Sequence, residues 1–210
     1  MELKTITDTL LTGDDVLLNN QVKTALDEGL APKDILNEAL IPGMDIVGER
    51  MESGEMFIPE VLMSAQAMAS VVEVLKPLLA DGDIVSAGKV VIGTVQGDLH
   101  DIGKNLVDII LSNNGFNVVN LGIKVPVEAM LQSFKDENAD AIGMSGLLVK
   151  STVIMKENLD VLNDHGMNPP IILGGAALTR SYVEHDLRKT YPGSLSYAKD
   201  AFDGLRFMQD

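Results

Sequence analysis

An aspartate and a histidine two residues apart stand where the sequence passes from a strand into a helix. Asp98 and His100 follow the apolar run 90–95, which predicts a buried strand, and precede the run 106–111, which predicts a helix. In open α/β sheets, ligands bind in the loops beyond the carboxyl ends of the strands. A carboxylate that holds an imidazole orients it as a metal ligand and raises its basicity. The pair therefore predicts a histidine that coordinates a metal brought in by a cofactor.

Composition restricts the partners of the protein. The 210 residues carry a net charge of −15, from 16 Lys and Arg against 31 Asp and Glu, which argues against nucleic acid and against an anionic membrane surface. No cysteine is present, so disulfides and thiolate metal sites are excluded. There is neither a continuous apolar run of membrane-spanning length nor a signal peptide, and we expect a cytoplasmic protein.

Residues 1–85 are expected to form a helical domain. Apolar residues recur at helical spacing, Pro32 suits the first turn of a helix, and Pro42 predicts a kink or a break soon after it. A long last helix is predicted from Pro59 to Leu79. Four helices in a segment of this length indicate a small bundle.

Residues 86–210 show a different pattern, in which short apolar runs alternate with amphipathic segments. A polar linker, residues 81–88, precedes the change. Strands are predicted at 89–95, 117–121, 140–145, 170–174 and, more weakly, 194–198; helices are predicted at 104–114, 127–138, 152–165, 179–188 and 200–209. The alternation predicts a Rossmann-like (flavodoxin-like) α/β domain, a doubly wound parallel sheet of five strands covered on both faces.

Small residues follow the later strands. Ser145 ends the third predicted strand, Gly174 and Gly175 follow the fourth, and Ser151 opens the helix after the third. Side chains this small allow a large ligand to approach the backbone closely. Ser145, Gly174 and Gly175 are therefore expected to line a slot.

Each of these features also has a purely structural interpretation. A Gly-Gly pair after a strand is commonly a turn, Ser151 is a favoured helix cap, and Asp98 with His100 can be a hydrogen-bonded loop pair. Lys104 is expected to help the helix start or to stay solvated. Four methionines are expected in the bundle core, and two further histidines at the surface: Met51, Met56, Met63, Met68, His165 and His185.

Two nucleotide-binding motifs can be dismissed. Residues 97–104 resemble a phosphate loop, but five residues separate the glycines, and Asn105 replaces the required Ser or Thr. There is no Gly-x-Gly-x-x-Gly dinucleotide motif.

On these residues the chain resembles the cobalamin-binding module of methionine synthase and the small corrinoid proteins of methyltransferase systems. Those families carry Asp-x-His-x-x-Gly, here Asp98, His100 and Gly103, then Ser-x-Leu, here Ser145 and Leu147, and a Gly-Gly pair after the fourth strand. The helical half, with the segment 56–61, resembles the helical cap that precedes the Rossmann-like domain in those proteins. The resemblance covers nearly the whole chain.

The resemblance implies cobalamin as cofactor, bound base-off and His-on. His100 would be the lower ligand of cobalt, Asp98 would hydrogen-bond His100, and Ser151 would extend that relay; these three are the expected catalytic residues. The nucleotide tail would pass between the strands, and Phe57 would cover the upper face. The full set of expected cofactor-binding residues is Phe57, Thr94, Gly97, Asp98, Leu99, His100, Asp101, Ile102, Gly103, Ser145, Leu147, Leu148, Gly174, Gly175, Ala176, Tyr197, Ala198, Asp200 and Ala201.

The implied function is that of a corrinoid methyl carrier, which cycles between Co(I) and methyl-Co(III) and is not catalytic alone. A substrate:corrinoid methyltransferase would load the methyl group from methanol, a methylamine, a quaternary amine or a methoxy-aryl compound. A second methyltransferase would pass it to tetrahydrofolate or coenzyme M, and a reductive activase would restore Co(I). His100 would release cobalt and gain a proton on return to Co(I), stabilised by Asp98. The linker would serve as a hinge.

Three other classes of protein share parts of this pattern. A cobalamin-dependent sensor or regulator has a similar cap and binding domain, but residues 1–13 are too few for a DNA-binding region. A detached domain of an adenosylcobalamin mutase would lack the helical cap. A zinc protein needs more ligands than Asp98 and His100 supply.

Overall fold

The computed structural model describes residues 2–79 and 87–209. The chain divides into two compact units, Met1–Val85 and Ser86–Asp210. Most of the predicted linker, residues 81–86, lies outside the described residues, so its predicted role as a hinge stays a prediction.

Over residues 2–79, the N-terminal unit is helical and consists of four helical stretches. The third stretch is continuous but changes character twice along its length. The bounds are α1 (Leu3–Thr12), α2 (Asp15–Asp27), α3 (Pro32–Ile35) running through a π-helical turn (Leu36–Leu40) into α4 (Ile41–Ser53), and α5 (Ile58–Leu75), which ends in a 3₁₀ turn (Lys76–Leu78).

The π-helical turn lies directly before Pro42, where the sequence predicts a kink or a break. Proline has no backbone N–H to donate to the preceding helical turn, and its ring crowds that turn. Here one turn of the helix is wider than an α-helical turn, and the N–H of Ile41 donates to the carbonyl of Leu36. The helix then continues to Ser53. The irregularity is therefore a local widening rather than a break.

The bundle core is built of aliphatic residues and methionine. Met56 and Met68 are buried, as predicted. Met63 is 51% exposed and Met51 is only partly buried, so the prediction of a core role is wrong for Met63. The helical period places Met63 on the outer side of α5, next to the exposed Leu62, whereas Val61 and Ala65 face inward.

By length and composition alone, the segment Ile58–Leu78 is long and apolar enough to cross a membrane. Its buried residues, among them Val61, Ala65 and Met68, recur at helical spacing. Glu60, Gln66 and Glu73 occupy exposed positions along it. This distribution is typical of a helix that contributes one face to the core of a bundle.

The C-terminal unit is the predicted parallel sheet covered by helices. All strand pairs are parallel, in the order β2-β1-β3-β4-β5. The elements are β1 (Gly88–Thr94), α6 (Ile102–Asn113), β2 (Phe116–Asn120), α7 (Val127–Asp136), β3 (Ala141–Ser145), α8 (Val149–Asp164), β4 (Ile171–Gly174), a π-helical segment (Tyr182–Leu187), β5 (Leu195–Ala198) and α9 (Ala201–Gln209).

The order in which the chain adds strands to the sheet reverses between β1 and β3, although all strands run parallel. The chain leaves β1 to form β2 at one edge and then returns to build β3, β4 and β5 on the other side. Loops that leave such a point in opposite directions open a crevice at the carboxyl ends of the strands. The predicted α/β fold is confirmed, and residues 95–101 and 146–148 lie at this switch point.

Candidate cofactor site

Four of the predicted site residues lie in register across the sheet. Thr94 pairs with Ser145, Ser145 with Gly174, and Gly174 with Ala198, so each ends its own strand. Thr94 is buried, and its hydroxyl donates to the carbonyl of His100 at 3.2 Å. The end of β1 thus fixes the backbone of the loop that carries the histidine.

Asp98 is fully buried and accepts hydrogen bonds from two loops. One carboxylate oxygen accepts from the backbone N–H and the ring Nδ1 of His100, at 3.0 and 2.7 Å. The other accepts from the Ser151 hydroxyl at 2.5 Å and from the N–H groups of Leu147 and Leu148, at 2.8 and 3.4 Å. One carboxylate therefore joins the loop after β1 to the loop after β3.

The hydrogen bonds decide the charge of this group. Burial alone would raise the pKa of Asp98, but donation from the Ser151 hydroxyl, from the backbone and ring of His100 and from the Leu147 N–H holds that pKa well below its ordinary range. Asp98 is therefore an anion at neutral pH. An anionic acceptor draws the Nδ1 proton of His100 to its side of the ring.

His100 presents its other nitrogen outward. Its side chain is half exposed, and because Nδ1 bonds Asp98, the lone pair of the neutral ring lies on Nε2. Within residues 2–79 and 87–209, Nε2 has no hydrogen-bond partner. The arrangement is that of an oriented imidazole ligand with an anion behind it.

Gly175 brings two loops into contact. Its φ is 152°, and a Cβ there would lie 1.8 Å from the carbonyl oxygen of Gly146. The N–H of Gly146 in turn donates to the carbonyl of Gly174 at 3.2 Å. The loops after β3 and β4 therefore meet backbone to backbone, as the small residues in the sequence predict.

Comparison with known proteins decides the family. Two models, each described as a B12 binding domain, match residues 2–76 and 88–206. This chain belongs to the B12-binding family. Cobalamin is its cofactor, and both halves of the chain are recognised as parts of a cobalamin-binding protein.

Relatives of this B12-binding protein come from two kinds of system. It is 53% identical over 195 residues to methionine synthase of Mycobacterium tuberculosis, covering 90% of this chain but 16% of that protein. It is 37% identical over 158 residues to dimethylamine corrinoid protein 1 of Methanosarcina acetivorans, covering 74% of each. The methanol:cobalamin methyltransferase complex MtaBC of Methanosarcina barkeri superposes with a TM-score of 0.83 at 30% identity, over 96% of this chain and 75% of that one.

The residues present fit a corrinoid. His100 offers a nitrogen donor of the kind that cobalt binds. The side chains that flank it are apolar and unusually exposed: Leu99 is 56%, Ile102 86%, Leu147 42% and Leu148 45% exposed. Sequence analysis missed Val149, which continues this surface at 76% exposure. An exposed apolar surface around one coordinating nitrogen suits a large macrocycle with a metal at its centre.

Other predicted residues have structural partners of their own. Asp200 accepts from the N–H groups of Phe202 and Asp203 and so caps α9, and Ala201 is buried. The Tyr197 hydroxyl donates to the carbonyl of Leu178 at 3.4 Å. Gly97, at a φ of 84°, Gly103 and Ala176 are small residues of the exposed loops and helix start. Their predicted contacts with the cofactor stay predictions.

Two further residues that the sequence singles out have different outcomes. Phe57 belongs to the helical unit, where it is 68% exposed at the start of α5, and its role toward the cofactor stays a prediction. Lys104 is not solvated, because only 4% of it is exposed. Its ammonium donates to Asn105 and Asn120, a pair that sequence reasoning did not connect, since only the fold brings the end of β2 beside α6.

Replacing Ser151 by alanine is expected to destabilise the protein by about 2 kcal/mol at pH 7, because a hydrogen bond to a charged group contributes about 1.5–3 kcal/mol. Folding lowers the pKa of Asp98, so its contribution to stability is fully present above the ordinary aspartate pKa and is lost as pH falls through the lowered folded-state pKa. Wild type and Ser151→Ala share the same unfolded state, so their difference in stability should be constant near neutral pH and should shrink only in the acid range, as Asp98 of the folded variant takes up a proton. Urea titrations from pH 7 down to the acid limit of the fold measure it.

The matched control is Thr152→Ala. Thr152 is also buried, but its hydroxyl donates to the neutral carbonyl of Val149 at 2.8 Å. Its loss should cost less and should not change with pH. Equal costs for the two variants at every pH would contradict the assignment of Asp98 as a buried anion.

Gly175→Ala is expected to destabilise the protein by about 3 kcal/mol, because its Cβ would force the Gly146 backbone aside. Gly174→Ala is the neighbouring control, since its Cβ would meet the carbonyl of Ala198 at an ordinary 3.7 Å. Thermal unfolding of both apoproteins measures the difference. Similar melting temperatures for the two variants would show that the loops after β3 and β4 do not need to touch.

Proposed function

We propose that this chain is a corrinoid methyl carrier in which His100 would be the protein ligand of cobalt. The observation that carries the proposal is the half-exposed imidazole whose Nδ1 is bound to buried Asp98 and whose Nε2 is free to coordinate. Membership in the B12-binding family and the likeness to corrinoid proteins of methyltransferase systems support it.

The protein residues have separate tasks in this proposal. Bound cobalamin supplies a cobalt centre that accepts a methyl group and passes it on. Asp98 keeps the Nδ1 proton of His100 in place, so that Nε2 faces the metal, and its negative charge also stabilises the ring when the ring carries a second proton. Ser151 and the N–H groups of Leu147 and Leu148 hold that carboxylate still.

The row of small residues receives the nucleotide tail in the proposal. Ser145, Gly174 and Ala198 end three adjacent strands in register, and Gly175 carries no side chain beside them. With the tail held in this row, His100 would supply the ligand to cobalt. Base-off binding and ligation by His100 are therefore two parts of one arrangement.

The proposed partners are proteins. A substrate-specific methyltransferase loads the methyl group, a second one delivers it to tetrahydrofolate or coenzyme M, and a reductase restores the active cofactor. The relatives named methionine synthase and dimethylamine corrinoid protein 1 support a place in methyl-transfer chemistry. The chain spans only 16% of the length of that methionine synthase, so the activity of the whole enzyme does not carry over to it. The donor and the acceptor of the methyl group are therefore part of the proposal.

The first experiment tests ligation. Purified protein is incubated with hydroxocobalamin, freed of unbound cofactor and examined by visible spectroscopy, alongside His100→Ala and the control His165→Ala. His165 is exposed, and its Nδ1 contacts the Val161 carbonyl on α8. We expect a retained corrin spectrum in all three, shifted in His100→Ala alone. A His100→Ala spectrum equal to that of wild type would rule out ligation by His100.

The second experiment tests carriage of the methyl group. Cobalamin-loaded protein is reduced, treated with methyl iodide and mixed with a folate-linked or a coenzyme M-linked corrinoid methyltransferase and its acceptor. We expect methylated acceptor in proportion to loaded protein, and a rate in Asp98→Asn lower by about tenfold, because partners behind a metal ligand commonly have effects of 10–100-fold. Loaded protein that passes no methyl group to either acceptor would favour a cobalamin-binding regulator instead.

A further inference from the structure

Lys104 is a buried cation that the proposed chemistry does not use. Only 4% of the residue is exposed, in the first turns of α6 and four residues after His100. Burying an ammonium is costly unless its hydrogen bonds are satisfied. Burial lowers the pKa of Lys104, and the nearby charges of Asp101 and Asp108 offset that shift only in part. Because burying the Lys104 ammonium is unfavourable, we expect its contacts to have a structural role.

The ammonium joins α6 to the end of β2. Lys104 Nζ donates to the side-chain oxygens of Asn105 and Asn120, each at 2.6 Å. Because an ammonium only donates, both amide oxygens must face it, which turns both amide nitrogens away. The Asn105 amide then donates to Asp101 at 3.1 Å, and the Asn120 amide to Asp108 at 2.7 Å. One cation thus orients two amides and links two carboxylates.

This network returns to the histidine loop by a second route. Asn120 Oδ1 also accepts from the N–H of Gly122 at 3.0 Å, and the carbonyl of Gly122 accepts from the N–H of Thr94 at 3.0 Å. The hydroxyl of Thr94 donates to the carbonyl of His100. The chain of contacts therefore closes around the loop, from Asp101 through Lys104 and Asn120 to Thr94.

We propose that Lys104 is a positioning residue for His100, acting through Asn105 and Asn120 to fix the β2 side of the histidine loop as Asp98 fixes its β3 side. The proposal rests on the proposed ligation of cobalt by His100. Without the ammonium the two amides are free to turn, and the start of α6 loses its link to β2. The imidazole would then be held in the orientation for ligation in a smaller fraction of the molecules.

The test uses Lys104→Met, which keeps an unbranched side chain about as long as the lysine stem and removes the charge and the donors. The full chain is loaded with hydroxocobalamin and reduced to Co(II), and electron paramagnetic resonance measures the fraction of bound cobalt coupled to an axial histidine nitrogen. We expect the ratio of His-off to His-on cobalt to rise by about tenfold, in the range of changes behind a metal ligand. Lys150→Met is the control, because Lys150 is exposed at the start of α8.

Further variants separate positioning from simple packing. Asn120→Leu should raise the His-off fraction in the same way, and the double variant should add little, because the two residues act in one network. Lys104→Arg keeps the charge and should restore part of the ligation. An unchanged His-on fraction in Lys104→Met would overturn the proposal. So would a variant with a lower melting temperature whose cofactor-loaded molecules have the same His-on fraction as wild type.

Failure of the proposed function gives a different result. If wild type and His100→Ala show the same axial coupling, His100 is not the ligand and the proposed function itself is wrong. If those two differ while Lys104→Met matches wild type, the proposed function stands and only the positioning role of Lys104 is wrong.

Discussion

The architecture of the site depends on one buried carboxylate. Asp98 is sealed from solvent, yet five donors from two loops and one helix converge on its two oxygens. A buried carboxylate with fewer donors would take up a proton or move to solvent. The donors therefore preserve its charge, and the charge sets the tautomer of His100. The loop after β3 takes its shape from the same contacts, since the backbone of Leu147 and Leu148 must face Asp98.

The order of the strands makes this convergence possible. Asp98 and Ser151 are 53 residues apart in the chain, but β1 and β3 are neighbours in the sheet. Their loops leave the sheet at the switch point, which is where open α/β sheets generally bind ligands. On the other side of β1 lies β2, whose last residue, Asn120, contacts Lys104. The histidine loop is thus flanked by a strand end on each side, and each contributes polar contacts.

Much of this could be predicted from the sequence. The alternation of apolar runs with amphipathic segments predicted a parallel sheet of five strands, and the Asp98–His100 spacing predicted their pairing. At the widened turn before Pro42 the sequence predicted a kink or a break, because periodicity does not reveal how a helix accommodates a proline. Lys104 was expected to help the helix start or to stay solvated, since charged side chains usually are exposed. Its burial depends on Asn120, 16 residues away, and only the tertiary fold brings the two together.

The two buried charges beside the histidine, Asp98 and Lys104, serve to fix the geometry of the histidine loop rather than to stabilise the fold. An apolar residue of similar size can often replace a buried charged group with no loss of stability, whereas removing one partner of such a group is costly. A loop that only had to pack would need neither Asp98 nor Lys104. Charge-assisted hydrogen bonds have narrow ranges of distance and angle, so an anion on one side and a cation on the other restrict the loop more than apolar contacts do. With the backbone of His100 fixed from both sides and its Nδ1 bound to Asp98, Nε2 is the atom of the ring that is left pointing outward.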